Sequence, residues 1–263
     1  MTSAVKVDIA DRIALVTFDR GDGLNALSAA VMRELTETAR SLGRDTRVSA
    51  VVLTGTATIF SAGADLKDPE LASRDKVGLL ERREALKLGP DLCRAWEEIE
   101  AITISAVEGF CVGGGVALAV ACDWRVAGRS AHFRLPEVPL GMNMSWQSNP
   151  RITSLIGPAR AKRFVILGEK LDATTADAWG LVDEVTDDGA ARDGALALAE
   201  KVAALPPVPV RMSKQAIDVA ARPLAHAVSY MDRDQFALAA ASEDQREATA
   251  AFLEKRQPRF TGK

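Results

Sequence analysis

Cysteine, histidine and tyrosine are scarce in this chain of 263 residues, numbering three, two and one. Cys93, Cys111 and Cys122 are odd in number and include no CxxC pair. That argues against a disulfide framework or a thiolate zinc site, and a reducing cytoplasm is the simplest expected location. His132 and His226 lie far apart, so Ser-His-Asp chemistry and histidine-rich metal sites start with little support. A basic surplus is also missing: the net charge is −3 and the pI about 5.6, which argues against a general nucleic-acid binder. The longest apolar stretch, Phe110 to Cys122, is too short for a bilayer span and contains three consecutive glycines. The first ten residues lack the apolar run of a signal peptide, and no membrane association is expected. What is present, 48% hydrophobic and 26% charged residues, is the composition of a soluble globular protein long enough to bury its own core.

Hydrophobic patterning predicts alternating strands and helices in the first half. Val5–Ile9 and Ile13–Phe18 read as strands around an Ala10-Asp11-Arg12 turn, and Ser28 caps a helix to about Leu42. Val48–Leu53, Ile102–Val107 and Trp124–Ala127 read as further strands. The segment from Lys76 to Ile99 is helical and broken near Gly89-Pro90, and a small-residue helix runs from Gly114 to Cys122. Beyond Pro158 the pattern is nearly all helical: Pro158–Leu167, Thr174–Trp179, Gly189–Leu205 and Val210–Ala221, with Pro206, Pro207 and Pro209 marking a break. A last helix opens at Ser242 with Gln245 completing a capping box. The expectation is one α/β domain, with a core over about 1–190 and a helical C-terminal region over about 191–263.

Gly113-Gly114-Gly115 follows a strand and opens a helix. Alone, such a triplet also serves as a tight turn with no ligand. It is no P-loop, because no Lys-Ser/Thr follows, and it lacks the G-x-G-x-x-G spacing of a dinucleotide site. It gains meaning beside three other stretches: Leu24-Asn25-Ala26-Leu27-Ser28, Phe60-Ser61-Ala62-Gly63-Ala64-Asp65-Leu66-Lys67, and Phe133-Arg134-Leu135-Pro136-Glu137 through Gly141. Together with Val107–Gly115, Cys122-Asp123 and Glu254-Lys255-Arg256, these resemble, in order and spacing, the motifs of the crotonase (enoyl-CoA hydratase/isomerase) superfamily over nearly the whole chain.

The resemblance implies a spiral of ββα units with a helical C-terminal region that assembles as trimers or dimers of trimers. It implies an acyl-CoA thioester as substrate, with coenzyme A entering as part of that substrate and no permanently bound cofactor or metal. Removing a proton beside a thioester needs donors aimed at the enolate oxygen. The family's two backbone donors map onto Ala64 and Gly114, and its catalytic glutamate onto Glu137, in a loop apolar enough to raise a carboxyl's pKa. Hydratases of the family carry a second glutamate where this chain has Ala117. One carboxylate suffices to move a double bond from the 3,4 to the 2,3 position, so the expected activity is enoyl-CoA isomerisation. Hydration by a relocated acid (Glu108, Glu81, Glu84 or Asp68) and a non-catalytic acyl-CoA-binding relative stay open. Decarboxylase, dehalogenase or thioesterase activity is a more distant reading. Met142, Met144 and Trp146 stand where the family has small residues, and either narrow the acyl pocket or pack the core. Ala62, Asp65, Leu66 and Lys67 are expected at the CoA side. Lys67, Arg20, Arg256 and above all Lys255 are the candidate cations for its phosphates, Lys255 by analogy acting on a neighbouring subunit.

Overall fold

The computed structural model describes residues 3–263. Strands β1 (Val5–Ala10) and β2 (Ile13–Phe18) form a hairpin around Asp11 and Arg12. Both turn residues have positive φ, 47° and 68°, which matches the right-handed twist of the strands they join. Next come α1 (Ala29–Arg44), β3 (Ala50–Thr54), α2 (Pro69–Ser73), a 3-10 turn at Arg74–Lys76, α3 (Leu79–Ala85) and α4 (Leu88–Glu97). They lead into β4 (Ile102–Val107), β5 (Phe110–Val112), α5 (Gly114–Ala119), β6 (Trp124–Gly128) and β7 (His132–Arg134). After α6 (Ser148–Leu167) follow β8 (Leu171–Asp172), α7 (Ala173–Trp179), β9 (Glu184–Thr186) and α8 (Ala191–Ala203). The chain finishes with α9 (Pro207–Ala221), α10 (Ala225–Ser229), α11 (Asp232–Ala239) and α12 (Glu243–Glu254).

Six strands form one sheet in the order β1-β2-β3-β4-β6-β9, parallel from β2 onward. Strands β5, β7 and β8 form a second sheet. A parallel sheet is covered on both faces, and β3 shows why its residues read as one apolar run. Ala50 and Val52 pack against Ala191, Ala195 and Ala199 of α8, whereas Val51 and Leu53 join the cluster holding Leu35 of α1 and Trp96 of α4. Helix α8 thus covers the sheet, although it falls in the segment assigned from sequence to the C-terminal region.

Prolines are where the sequence expectations need correcting. The Lys76–Ile99 helix breaks at Leu86-Lys87, between α3 and α4, and Gly89-Pro90 lie inside the first turn of α4. There a proline's missing N–H has no intrahelical partner to lose. For the same reason Pro207 and Pro209 open α9 instead of preceding it. The small-residue helix α5 stops at Ala119, short of Cys122. At Ser242 only half of the capping box forms: the Gln245 N–H donates to Ser242 Oγ (3.1 Å), but the Gln245 side chain donates to Thr249. Helix α6 bends at Gly157 (φ 75°), so its second half starts at Pro158 as expected.

Helix α9 is tied to the core by a buried lysine. Lys214 Nζ donates to the carbonyls of Ile99 (2.6 Å) and Ala101 (3.1 Å) and to Asp123 Oδ2 (2.7 Å). The Asp123 carboxylate also accepts from the Thr103 N–H and hydroxyl, so this cation is fully paired. Beyond that anchor α10 packs on α6, and α11 packs on α3.

Candidate active site

Asn25 is the keystone of the first loop. Buried with φ 47°, it donates through Nδ2 to the carbonyls of Phe18 (3.0 Å) and Phe60 (2.8 Å). Ser61 Oγ donates to the Asn25 carbonyl (2.8 Å) and accepts from the Gly63 N–H (3.1 Å). The two motifs are thereby sewn together. The Leu27 N–H donates to Gly63 O (2.8 Å), and the Asp65 N–H donates to Leu27 O (3.1 Å). In a parallel bridge of this kind the intervening residue, Ala64, turns its own N–H away from Leu27. Among the described residues no protein acceptor takes it. Gly114 is the first residue of α5, where the helix supplies no acceptor for the N–H and its dipole favours negative charge.

The two loops touch at glycines. A Cβ on Gly63 (φ 87°) would lie 2.6 Å from Val112 O and 3.1 Å from Gly114 N, so only glycine lets the two loops approach this closely. A Cβ on Gly113 (φ 53°) would lie 2.7 Å from Glu137 Oε1, and one on Gly114 would lie 2.6 Å from the Trp146 ring. The glutamate and the indole therefore flank the Gly113-Gly114 turn directly.

Glu137 is held by its own loop: the Leu140 and Met142 N–H groups donate to its carbonyl at 3.1 and 2.9 Å. Its Oε2 is shut off from solvent and has no hydrogen-bond partner. Burial pushes the carboxyl up to about 7, against a smaller lowering by a backbone hydrogen bond. A carboxyl poised there can take a proton and return it near neutral pH. Trp146 adopts a left-handed backbone (φ 59°), as does Gln147 (φ 57°). Arg151 Nη1 donates to both of their carbonyls, and Asp232 accepts from the Gln147 N–H (2.7 Å). This corner lays the indole between Gly89 of α4 and Gly114, where a Cβ on Gly89 would overlap the ring.

A cavity of about 340 Å³ collects most of the expected residues: Ala62, Ala64, Asp65 and Leu66 from the first loop, and Gly114, Glu137, Met142 and Trp146. Met144, buried, lines it too. Lys67 is exposed outside the lining. Lys255 caps the end of α12, exposed and also outside the lining of its own chain's cavity. Arg20 is engaged by Asp65 (2.6 Å) and Asp22 (3.2 Å), and Arg256 by Glu247 and Glu254 (both 2.6 Å), so neither is an uncommitted cation. Burial raises the Asp65 carboxyl, but the Lys67 amide and the Arg20 guanidinium together hold it below the usual range.

None of the relocated acids reaches the cavity. Glu108 is buried under α8, accepting from the Ala191 N–H (2.9 Å). Asp68 caps α2 through the Glu70 and Leu71 N–H groups, Glu81 accepts from the Gly78 N–H, and Glu84 pairs with Lys87. The three cysteines are buried, with the thiols of Cys93 and Cys122 pushed up to about 12 by desolvation, which leaves them inert as nucleophiles. Sequence reasoning missed the cavity's cover, formed by Leu71, Arg74 and Arg82 on one side and Arg233, Phe236 and Gln245 on the other. No motif marks these residues. Their only signal is amphipathic helical patterning, which does not say what a helix covers.

The fold is that of the crotonase enzymes, which process acyl-CoA thioesters. Residues 8–263 match the profile of the enoyl-CoA hydratase/isomerase family, and the chain belongs to that family. It is 34% identical over 260 residues to the probable enoyl-CoA hydratase echA8 of Mycobacterium bovis, covering 98% of this chain and 97% of that one. It is 35% identical over 255 residues to the 2,3-dehydroadipyl-CoA hydratase of Escherichia coli, covering 96% of each. Among solved structures, the enoyl-CoA hydratase/isomerase from Pseudoalteromonas atlantica superposes with a TM-score of 0.86 at 29% identity, covering 98% of this chain and 100% of that one. No helix among the described residues is long and apolar enough to cross a membrane.

Proposed function

We propose that this enzyme moves the double bond of a 3-enoyl-CoA into conjugation with the thioester, giving the 2-enoyl-CoA. The Ala64 and Gly114 N–H groups hold the thioester oxygen as it becomes an enolate. Glu137 takes the proton from C2 and returns it at C4. One observation carries the reading: of the two carboxylates lining the cavity, Asp65 is locked by Arg20, and Glu137 alone is unpaired and raised toward neutrality. At the place of the hydratases' second glutamate stands Ala117, fully buried, one turn along α5 from Gly114. Wild-type enzyme is expected to isomerise hex-3-enoyl-CoA faster than it hydrates hex-2-enoyl-CoA, followed by ultraviolet absorbance of the conjugated thioester. Faster hydration would overturn the assignment, and binding without turnover of either would mark a non-catalytic relative.

Hydration is the second reading, favoured by the names of the relatives above. In that case Glu137 activates the water alone. Ala117→Glu separates the two chemistries, because a second carboxyl would help hold and deprotonate water. It is expected to raise the ratio of hydration to isomerisation by about tenfold or more, within the range of a single acid–base group. Using the ratio removes the effect of any partial unfolding from a buried charge. An unchanged ratio would show that the position does not reach the reacting carbons.

A trimer-based assembly in the cytoplasm completes the proposal, with coenzyme A supplied only as part of the substrate. Helices α9 to α12 expose the large apolar side chains Met212, Ile217, Val219, Leu238, Phe252 and Leu253, which a partner subunit would cover. Lys255, outside its own cavity, would then reach a neighbour's CoA phosphate. Light scattering at micromolar concentration is expected to show multiples of three, and a monomer of 28.0 kDa would contradict a shared site.

A further inference from the structure

Trp146 stands on the boundary between the cavity and the core: it lines the one and packs, half-buried, against the main cluster of the other. Its benzo edge closes on α5, where a Cβ on Gly114 would lie 2.6 Å from both Cη2 and Cζ3. Its pyrrole side closes on α4, where a Cβ on Gly89 would overlap Cε2 and Nε1. The indole thus fills the gap between the first turns of two helices, and glycine at both contacts lets it reach each backbone. Behind it the cavity does not continue. Ala117, one turn along α5 from Gly114, is fully buried and outside the lining.

Holding the ring there takes a backbone that bulky L-residues resist, since Trp146 and Gln147 are consecutive left-handed residues. Such a conformation persists only where its surroundings over-determine it. Arg151, 2% exposed, grips both carbonyls and is itself held by two bonds to Glu97 of α4, at 3.0 and 2.6 Å. Asp232, the first residue of α11, accepts from the Gln147 N–H. The corner is therefore fixed to the helix on which the indole rests and to the helix whose Phe236 also lines the cavity. A side chain that only fills a core needs no such frame, whereas a wall that must stay in place does.

The lining around the indole is apolar, with Leu86, Met142, Met144 and Phe236, and suits a hydrocarbon chain. A thioester oxygen resting on the Gly114 N–H starts that chain beside the ring. We propose that Trp146 is a specificity-determining residue, its indole forming the end wall of the acyl pocket, so that the preferred substrate carries a short acyl chain. This rests on the acyl-CoA reading of the cavity and deepens it by setting the chain length.

Calorimetry with butyryl-, hexanoyl-, octanoyl- and decanoyl-CoA tests it without turnover. Each methylene that finds room in an apolar pocket adds about fourfold to affinity, ~0.8 kcal/mol. Wild type is expected to gain from butyryl- to hexanoyl-CoA at that rate and to bind decanoyl-CoA no tighter than hexanoyl-CoA. Trp146→Ala is expected to bind decanoyl-CoA on the order of tenfold or more tighter than hexanoyl-CoA, as methylenes enter the opened gap. A wild-type affinity that climbs steadily through decanoyl-CoA would overturn the wall and leave the acyl-CoA reading intact. Binding of none of the four would overturn both. A profile in Trp146→Ala that keeps its wild-type shape, or drops equally at every length, would assign the indole to packing and overturn the proposal. Should that variant fail to fold, Trp146→Phe keeps a smaller ring against the same glycines. There the break is expected to move out to octanoyl-CoA, and an unmoved break would overturn the proposal.

Discussion

Glu137→Gln is expected to lower kcat for isomerisation by about a thousandfold, within the range of a lost general acid–base group, while acyl-CoA affinity changes little. Gln keeps the size of the side chain and cannot accept the C2 proton. In wild type, kcat is expected to rise through pH 7 as the carboxyl ionises, because burial has raised it from 4.5 to about 7. The same shift has a consequence for stability. An acid whose pKa is raised on folding ionises first in the unfolded chain, so the folded state loses stability as pH climbs from 4.5 to 7. At pH 8 that cost is about 3 kcal/mol, and Glu137→Gln should relieve it. Thermal melts of both proteins check this: the variant should be the more stable at pH 8, and the two should converge near pH 4. A wild type as stable as the variant at pH 8 would mean that Glu137 is better solvated or paired than the geometry indicates.

Gly63→Ala is expected to cost kcat about a hundredfold or more without touching a reacting side chain, because it displaces the donors of the oxyanion site. The added methyl would press on Val112 O and Gly114 N at once, in a backbone conformation (φ 87°) that L-residues resist. The Leu27–Gly63 hydrogen bond that turns Ala64 toward the cavity would shift with it. Steady-state kinetics should show the loss chiefly in kcat, since the donors grip the enolate more strongly than the ground-state thioester. A variant that folds and turns over normally would show that these amides are not the oxyanion donors.

What could be read from the chain was local. Strand–glycine–helix punctuation exposed the Gly113-Gly114-Gly115 turn, and the run around Ala50–Thr54 exposed a strand buried on both faces. The resemblance then supplied Ala64, Gly114 and Glu137, which the structure brings to one cavity. The return of the C-terminal helices over that cavity was not legible, because it depends on contacts such as Arg83–Asp234, distant in sequence and unmarked by any motif. Glu108 shows the opposite difficulty. Beside a motif glycine it reads as a second acid, yet strand alternation turns its carboxylate under α8. The glycine–proline pair at Gly89-Pro90 read as a break because a proline's meaning depends on whether it stands in a helix's first turn or further in.

The central claim is that Glu137 draws a proton from C2 of a thioester whose oxygen rests on the Ala64 and Gly114 amides. Magnetic resonance of wild-type enzyme with hex-3-enoyl-CoA carrying two deuterons at C2 tests it most directly. The account predicts a 2-enoyl product with one deuteron gone from C2 and part of it found at C4, transferred by the single carboxylate. Substrate recovered with both deuterons still at C2 would contradict it.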